Sequence, residues 1–210
     1  PSLVCLENTH NRGGGTIWPM DQLKSVAEAA RKHNLLLHLD GARLWNASVA
    51  SGIREADYAS IFDTVSVCFS KGLGAPVGSL LAGSFLAIEK ARFYRKQQGG
   101  AMRQVGILAE AAKYALKHNR NRLSEDHKNC QILAKGLAKL PGIEVDKAGP
   151  ETNMLFINTG NHDAADLVKR FEGLGVRLLQ TGQNTLRVVT NLTVKREEIK
   201  EVLSAFEHLT

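Results

Sequence analysis

The sequence predicts an α/β fold: a larger domain built on a mostly parallel sheet, followed by a smaller α/β domain at the carboxyl end. Three observations carry this. Leu35 to Leu39 and Thr64 to Phe69 are short, nearly continuous apolar runs that stop at polar residues, Asp40 and Ser70-Lys71. Between the first such run and an earlier one at Leu3 to Glu7, residues Leu23, Val26, Ala27 and Ala30 recur at helical spacing. From Pro141 onward strand-like and helix-like stretches alternate again. Short apolar runs separated by helices indicate parallel strands covered on both faces.

In chain order, the strand Leu3 to Glu7 leads into a polar, glycine-rich loop through Gly15. Asp21 to Lys32 reads as an amphipathic helix, Leu35 to Leu39 and Thr64 to Phe69 as strands, and Ser79 to Ala82 as a further strand. Phe85 to Lys96, Met102 to Lys117 and Arg122 to Leu140 are long helical stretches, broken at Gln97-Gln98-Gly99-Gly100 and at His118-Asn119. Ile143 to Asp146, Met154 to Asn158, Val176 to Leu179 and Leu186 to Thr190 are candidate strands. Asp163 to Glu172 and Lys195 to Leu209 are candidate helices. A boundary in the helices around residue 119 divides the chain into 1–118 and 119–210.

Composition narrows the function classes. A hydrophobic content of 43% suffices for a real core. The longest apolar stretch, Val77 to Ile88, is interrupted by Gly78, Ser79, Gly83 and Ser84 and falls short of the ~20 residues a membrane helix needs. The balance of 27 basic to 21 acidic residues gives +6, but the bases are scattered along helical faces with no aromatic residues among them. That pattern argues against nucleic acid and suits an enzyme that binds an anionic cofactor. Cys5, Cys68 and Cys130 are odd in number, with no CxxC pair, which argues against a disulfide framework or a metal site and for a reducing, cytoplasmic location. The start, Pro1-Ser2-Leu3-Val4-Cys5, is not a signal peptide; lacking Met and running straight into a strand, it suggests that an amino-terminal part precedes it.

Lys71 is the sharpest chemical feature. It lies in Phe69-Ser70-Lys71-Gly72-Leu73-Gly74-Ala75-Pro76-Val77-Gly78, directly after a predicted strand. Open α/β sheets bind ligands at the carboxyl ends of their strands, and glycines there let main chain approach a bulky ligand. A desolvated lysine is a nucleophile for carbonyl groups. An exposed loop lysine fits these residues equally well. A dinucleotide fingerprint fits worse, because Gly72, Gly74 and Gly78 miss the GxGxxG spacing. Asp40 ends the preceding strand in the same topological position, where a carboxylate can hold a pyridine nitrogen protonated. Taken alone, Asp40 is better explained as a helix N-cap.

Asp40-Gly41-Ala42-Arg43 and the Ser70 to Ser79 loop, with Glu7-Asn8-Thr9-His10-Asn11 and Gly99-Gly100-Ala101-Met102-Arg103-Gln104, resemble the low-specificity L-threonine aldolases of the aspartate-aminotransferase fold. Thr152-Asn153-Met154-Leu155-Phe156 and Leu186-Arg187-Val188-Val189-Thr190 match as well, so the resemblance runs along essentially the whole chain. It does not extend to that family's amino-terminal segment, which supplies the phosphate cradle and the ring-stacking side chain.

The resemblance implies a pyridoxal 5'-phosphate (PLP) enzyme, with residues 1–118 as the carboxyl-terminal portion of the cofactor domain and 119–210 as the small domain. It implies that Lys71 forms the Schiff base, that Asp40 pairs with the pyridine nitrogen, that Arg43 also contacts the cofactor, and that Arg43 and Arg187 hold the substrate carboxylate. His10 would position or deprotonate the substrate hydroxyl. Lys96 and Arg103, on either side of the Gly99-Gly100 turn, would reach a neighbouring site in a homo-oligomer, a dimer or tetramer. The implied reaction is cleavage of L-threonine or L-allo-threonine to glycine and acetaldehyde. A β-eliminating PLP lyase would keep the same lysine, aspartate and arginine. A catalytically silent homologue with a structural role is the rival of another class.

Overall fold

The computed structural model describes residues 1–209. It divides into two compact units, one formed by Pro1–His10 with Ile17–Asn121, the other by Asn11–Thr16 with the chain from Arg122.

The first unit contains β1 (Leu3–Glu7), α1 (Met20–Lys32), β2 (Leu36–Gly41), α2 (Leu44–Ser51), α3 (Glu55–Ala59), β3 (Thr64–Cys68), β4 (Ser79–Gly83), α4 (Phe85–Gln97) and α5 (Gly106–Asn119). The strands form one sheet in the order β1-β2-β3-β4. β1, β2 and β3 are parallel, while β4 runs antiparallel to β3. Helical crossovers between the first three strands permit the parallel arrangement, whereas a direct loop returns β4 in the opposite sense. The expected mostly parallel α/β class is therefore present.

α1 buries Leu23, Ala27 and Ala30 against Leu37 and Leu39 of β2 and Val65 and Val67 of β3. Fully burying a leucine is worth roughly 1.5–3 kcal/mol, so this stripe anchors the helix. Asp21 in its first turn and Arg31 and Lys32 in its last suit the helix dipole. Tyr58 and Phe62 close the same core. Alternation along β2 sends Leu37 and Leu39 inward, while Leu36, on the other face, is 57% exposed. The expectation of a sheet covered on both faces is thus not met in the described residues: the core lies on one face only.

Several boundaries differ from the sequence reading. β2 runs on through Gly41, so Asp40 lies within the strand. α5 starts at Gly106 rather than Met102, because Gln104 takes a positive φ of 49° that no helix accommodates. The short helices α2 and α3 have too few turns to register as a period; α2 ends on Gly52 in the left-handed conformation.

The second unit contains α6 (Leu123–Leu137), β5 (Glu144–Val145), β6 (Met154–Asn158), α7 (Ala164–Gly173), β7 (Leu179–Gly182), β8 (Thr185–Val189) and α8 (Glu198–Leu209). Its sheet, β5-β6-β8-β7, is antiparallel throughout. Phe171 of α7 and Phe206 of α8 pack with ring centroids 4.2 Å apart, within a core that includes Leu133, Leu137, Leu155, Ile157 and Leu186. Asp163 caps α7 by accepting from the Ala165 and Asp166 N–H groups. The expected strand Val176 to Leu179 begins only at Leu179, because Gly175 turns left-handed and the Val176 N–H donates back to the Phe171 carbonyl at 2.9 Å, closing the helix.

Candidate active site

β2 and β3 run parallel, so their carboxyl ends meet at one edge of the sheet, and both sharp sequence features lie there. Asp40, the penultimate residue of β2, pairs in register with Glu7 of β1 and Ser66 of β3. The alternation that buries Leu39 turns Asp40 to the open face, where it is exposed. One carboxylate oxygen accepts the Ala42 N–H at 3.0 Å, which fixes the side chain close to its own backbone. The helix N-cap reading fails: Arg43 holds that position for α2, with no side-chain cap.

Gly41 explains why the strand can end this way. A Cβ there would stand 2.7 Å from the Ser66 carbonyl oxygen and 3.2 Å from the Leu44 Cβ. Neither neighbour is the free end of a flexible chain. The residue beside Asp40 is therefore glycine because β3 and α2 approach it closely.

Lys71 sits three residues beyond the end of β3, in the loop 69–78 that leads to β4. Its side chain is exposed, but the loop is not loose. The Phe69 N–H donates to the Gly78 carbonyl at 2.9 Å, Ala75 N–H to Phe69 at 3.0 Å, and Gly74 N–H to Lys71 at 2.8 Å. Gly74 (φ 74°) and Gly78 (φ 117°) take backbone conformations that side chains disfavour. These two glycines are required by the turn itself, a cause that the sequence reading, which assigned them to ligand approach, leaves out.

His10 follows β1 at the same edge. Its Nε2 lies 3.7 Å from a Glu7 carboxylate oxygen, with both side chains partly exposed. Glu7 opens the Glu7-Asn8-Thr9-His10-Asn11 motif, and nothing in that spacing signals its contact with His10. Between them, Asn8 and Thr9 are buried, and the Asn8 Nδ2 and Thr9 Oγ1 atoms have no hydrogen-bond partner. The Asn8 backbone N–H donates to the Asp40 carbonyl at 3.0 Å, tying this segment to β2. Arg43 is half-buried. Lys96, in the last turn of α4, and Arg103, in the turn before α5, are both exposed.

Arg187 belongs to the second unit. It lies mid-strand in β8 opposite Phe156. Its guanidinium donates to the Asn11 side-chain oxygen at 3.1 Å, and its Nε is buried without a partner. Asn11 reaches it because segment 11–16 packs into this unit, where the Thr152 hydroxyl also donates to the Gly15 carbonyl at 2.8 Å. No periodicity could have signalled this pairing, which spans 176 residues.

Chemically, the sheet edge offers a primary amine and a carboxylate, with an imidazole–carboxylate pair after the next strand. Such a set can capture an aldehyde and hold a protonated nitrogen base. Among the described residues, no group of three or more His, Cys, Asp or Glu side chains could hold a metal ion.

Known proteins resemble the chain along nearly all its length. The low-specificity L-threonine aldolase 1 of Arabidopsis thaliana is 42% identical over 208 residues, covering 98% of this chain and 58% of that protein. The low specificity L-threonine aldolase of Escherichia coli strain K12 is 44% identical over 200 residues, covering 95% of this chain and 58% of that protein. The chain thus spans somewhat more than half the length of these curated relatives. Among solved structures, the Leishmania major threonine aldolase superposes with a TM-score of 0.79 at 23% identity, over 100% of this chain and 61% of that one, which shows a shared fold. The family model described as beta-eliminating lyase matches residues 1–159, a stretch that contains Asp40, Arg43 and Lys71 together with the whole sheet that presents them. The chain belongs to the beta-eliminating lyase family.

Proposed function

We propose that this chain is the lysine-bearing part of a PLP-dependent aldehyde-lyase that cleaves L-threonine and L-allo-threonine to glycine and acetaldehyde. The observation that carries the reading is the placement of Asp40 and Lys71 at the carboxyl edge of adjacent parallel strands. The similarity to low-specificity L-threonine aldolases supports the substrate. The donor set fits PLP: the Lys71 amine suits its aldehyde, and the Asp40 carboxylate, held through the Ala42 N–H, suits its ring nitrogen. Bound there, PLP supplies an electron sink for the charge left on Cα when the Cα–Cβ bond breaks.

The protein's own contribution is orientation and proton handling. Arg43 and Arg187 are assigned to the substrate carboxylate, which sets the bond on Cα that stands across the ring. His10 takes the proton of the β-hydroxyl as acetaldehyde departs, with Glu7 orienting its ring. We take the cofactor-binding portion, expected over 1–118, as the unit of Pro1–His10 with Ile17–Asn121, and the small domain, expected over 119–210, as that of Asn11–Thr16 with the chain from Arg122. We assign Lys96 and Arg103 to a neighbouring subunit's site in a homo-oligomer. Exposed apolar side chains on and around α4 and α5, including Phe85, Leu86 and Ile107, support association; light scattering reads the subunit number. Three free cysteines suit a reducing, cytoplasmic location, and no helix among the described residues is long and apolar enough to cross a membrane.

PLP added to the chain joined to the family's amino-terminal segment, which supplies the phosphate cradle, should give visible absorbance that borohydride discharges and that Lys71→Ala loses. Absence of that signal in the parent protein overturns the reading. The family description favours one rival, β-elimination from an amino acid. Assaying acetaldehyde against pyruvate and ammonia separates the two.

A further inference from the structure

We propose that Asn119 and Trp45 are positioning residues that hold the Lys71 loop in place, through side-chain hydrogen bonds to main-chain carbonyls on either side of the lysine. The proposal rests on Lys71 being the cofactor lysine. Trp45, in α2, donates its indole N–H to the Cys68 carbonyl at 3.0 Å and stacks on Phe69, with centroids 6.2 Å apart. Cys68 lies one residue past the last β2–β3 pair, Gly41 with Val67, where the ladder to β2 has ended. Asn119, the last residue of α5, donates its amide to the Leu73 carbonyl at 2.8 Å across 46 residues of sequence. Leu73 is itself buried, 1% exposed. Lys71 stands between the two held carbonyls. Its side chain is exposed, so its reach depends on how firmly its backbone is fixed. An amine that must meet one carbon atom tolerates a misplacement of only about 1 Å before its rate collapses.

The test uses Asn119→Ala, Asn119→Asp and Trp45→Phe in the chain joined to the family's amino-terminal segment and loaded with PLP. Asn119→Asp keeps the shape but cannot donate; Trp45→Phe keeps a ring to stack on Phe69 and removes the N–H. Hydrogen exchange at the Gly74 and Ala75 amides should rise roughly fivefold to tenfold in each, the consequence of one lost hydrogen bond, with α1 amides unchanged. Borohydride trapping of PLP at Lys71, measured below saturation by mass spectrometry, should fall by a comparable factor while the melting midpoint moves little. Exchange and trapping equal to the parent's in all three variants would overturn the proposal. A matching rise in α1 would overturn it too, since that reports global unfolding. If the parent itself shows no trapping while loop exchange is still released, the tethers stand and the cofactor reading falls.

Discussion

The two units differ in where their notable ionisable side chains lie, exposed at a sheet edge in the first and buried in the second. In the first, parallel strands bring their carboxyl ends to one edge, and Asp40, Lys71 and His10 collect there with exposed side chains. In the second, antiparallel strands point their ends alternately, so no such edge exists. Its buried polar residues include a carboxylate and an imidazole, which the buried polar residues of the first unit, Asn8, Thr9, Asn46 and Ser48, do not. Asp126 is 0% and His127 6% exposed, within a scaffold in which the Thr190 hydroxyl donates to the Asp126 carbonyl at 2.6 Å and the Asn153 amide to Thr190 at 2.8 Å. Exposed polar residues at strand ends are available for chemistry, whereas buried ones set stability and its pH dependence. Arg187 departs from this rule, and it does so by being held on Asn11 from a distant segment.

The largest effects should come from the open edge. On the proposed function, Lys71→Ala lowers threonine cleavage by three orders of magnitude or more, and Asp40→Asn by about a hundredfold or more, on the scale of losing a group that stabilises transition-state charge. Steady-state acetaldehyde release measures both. An Asp40→Asn enzyme of unchanged activity would remove this carboxylate from the site.

The next effect compares two tightly placed glycines. Gly41 faces a backbone carbonyl that cannot yield, whereas Gly136 of α6 faces the end of the Leu203 side chain, which can rotate. Gly41→Ala should therefore cost about 1–3 kcal/mol and weaken cofactor binding. Gly136→Ala should cost less and leave cofactor affinity alone. Denaturant unfolding and a PLP titration of each variant settle the order.

A third prediction concerns pH. Burial lifts the Asp126 carboxyl from 3.8 to about 6, against the pull of Arg122. The folded state therefore holds this proton more tightly than the unfolded chain, and stability falls as pH rises from about 4 to 6. Burial pushes His127 the other way, from 6.5 down to about 4, so its contribution is lost as pH falls through the same window. Each shift spans roughly two units at about 1.4 kcal/mol per unit, and the two slopes oppose. Asp126→Asn should leave stability that climbs with pH, and His127→Gln stability that declines. Urea midpoints between pH 4 and 7 read both, and parallel profiles for the two variants would break the comparison.

The smallest effect should appear at the surface. Arg54 and Asp57 form an exposed pair at 2.6 Å, whereas Arg122 stands 3.9 Å from buried Asp126. Arg54→Ala should leave the melting midpoint in place, while Arg122→Ala should lower it, because a buried carboxylate loses its nearest cation.

Much of this was legible from local pattern. The apolar runs and the stripe Leu23, Val26, Ala27, Ala30 located β1, β2, β3 and α1 within a residue or two, because alternation and helical period are short-range signals. Lys71 and Asp40 stood out because each follows or ends such a run. The shift of Val176 out of its expected strand came from a helix cap, which competes locally with strand formation. α2 and α3 were missed because eight and five residues hold too little period to read.

Residue types, their order and their spacing on single elements therefore belong to the sequence: the lysine after the β3 run, the aspartate after the β2 run, the glycines that follow the lysine. Partnerships belong to the fold. Glu7 beside His10 depends on the turn after β1, and Asn11 under Arg187 on the route of a six-residue segment. The tethers from Trp45 and Asn119 exist only because α2 and α5 pack where they do. Hydrogen bonds across tens of residues leave no periodic trace, since nothing in local backbone preference distinguishes an asparagine that will reach a loop from one that will face water.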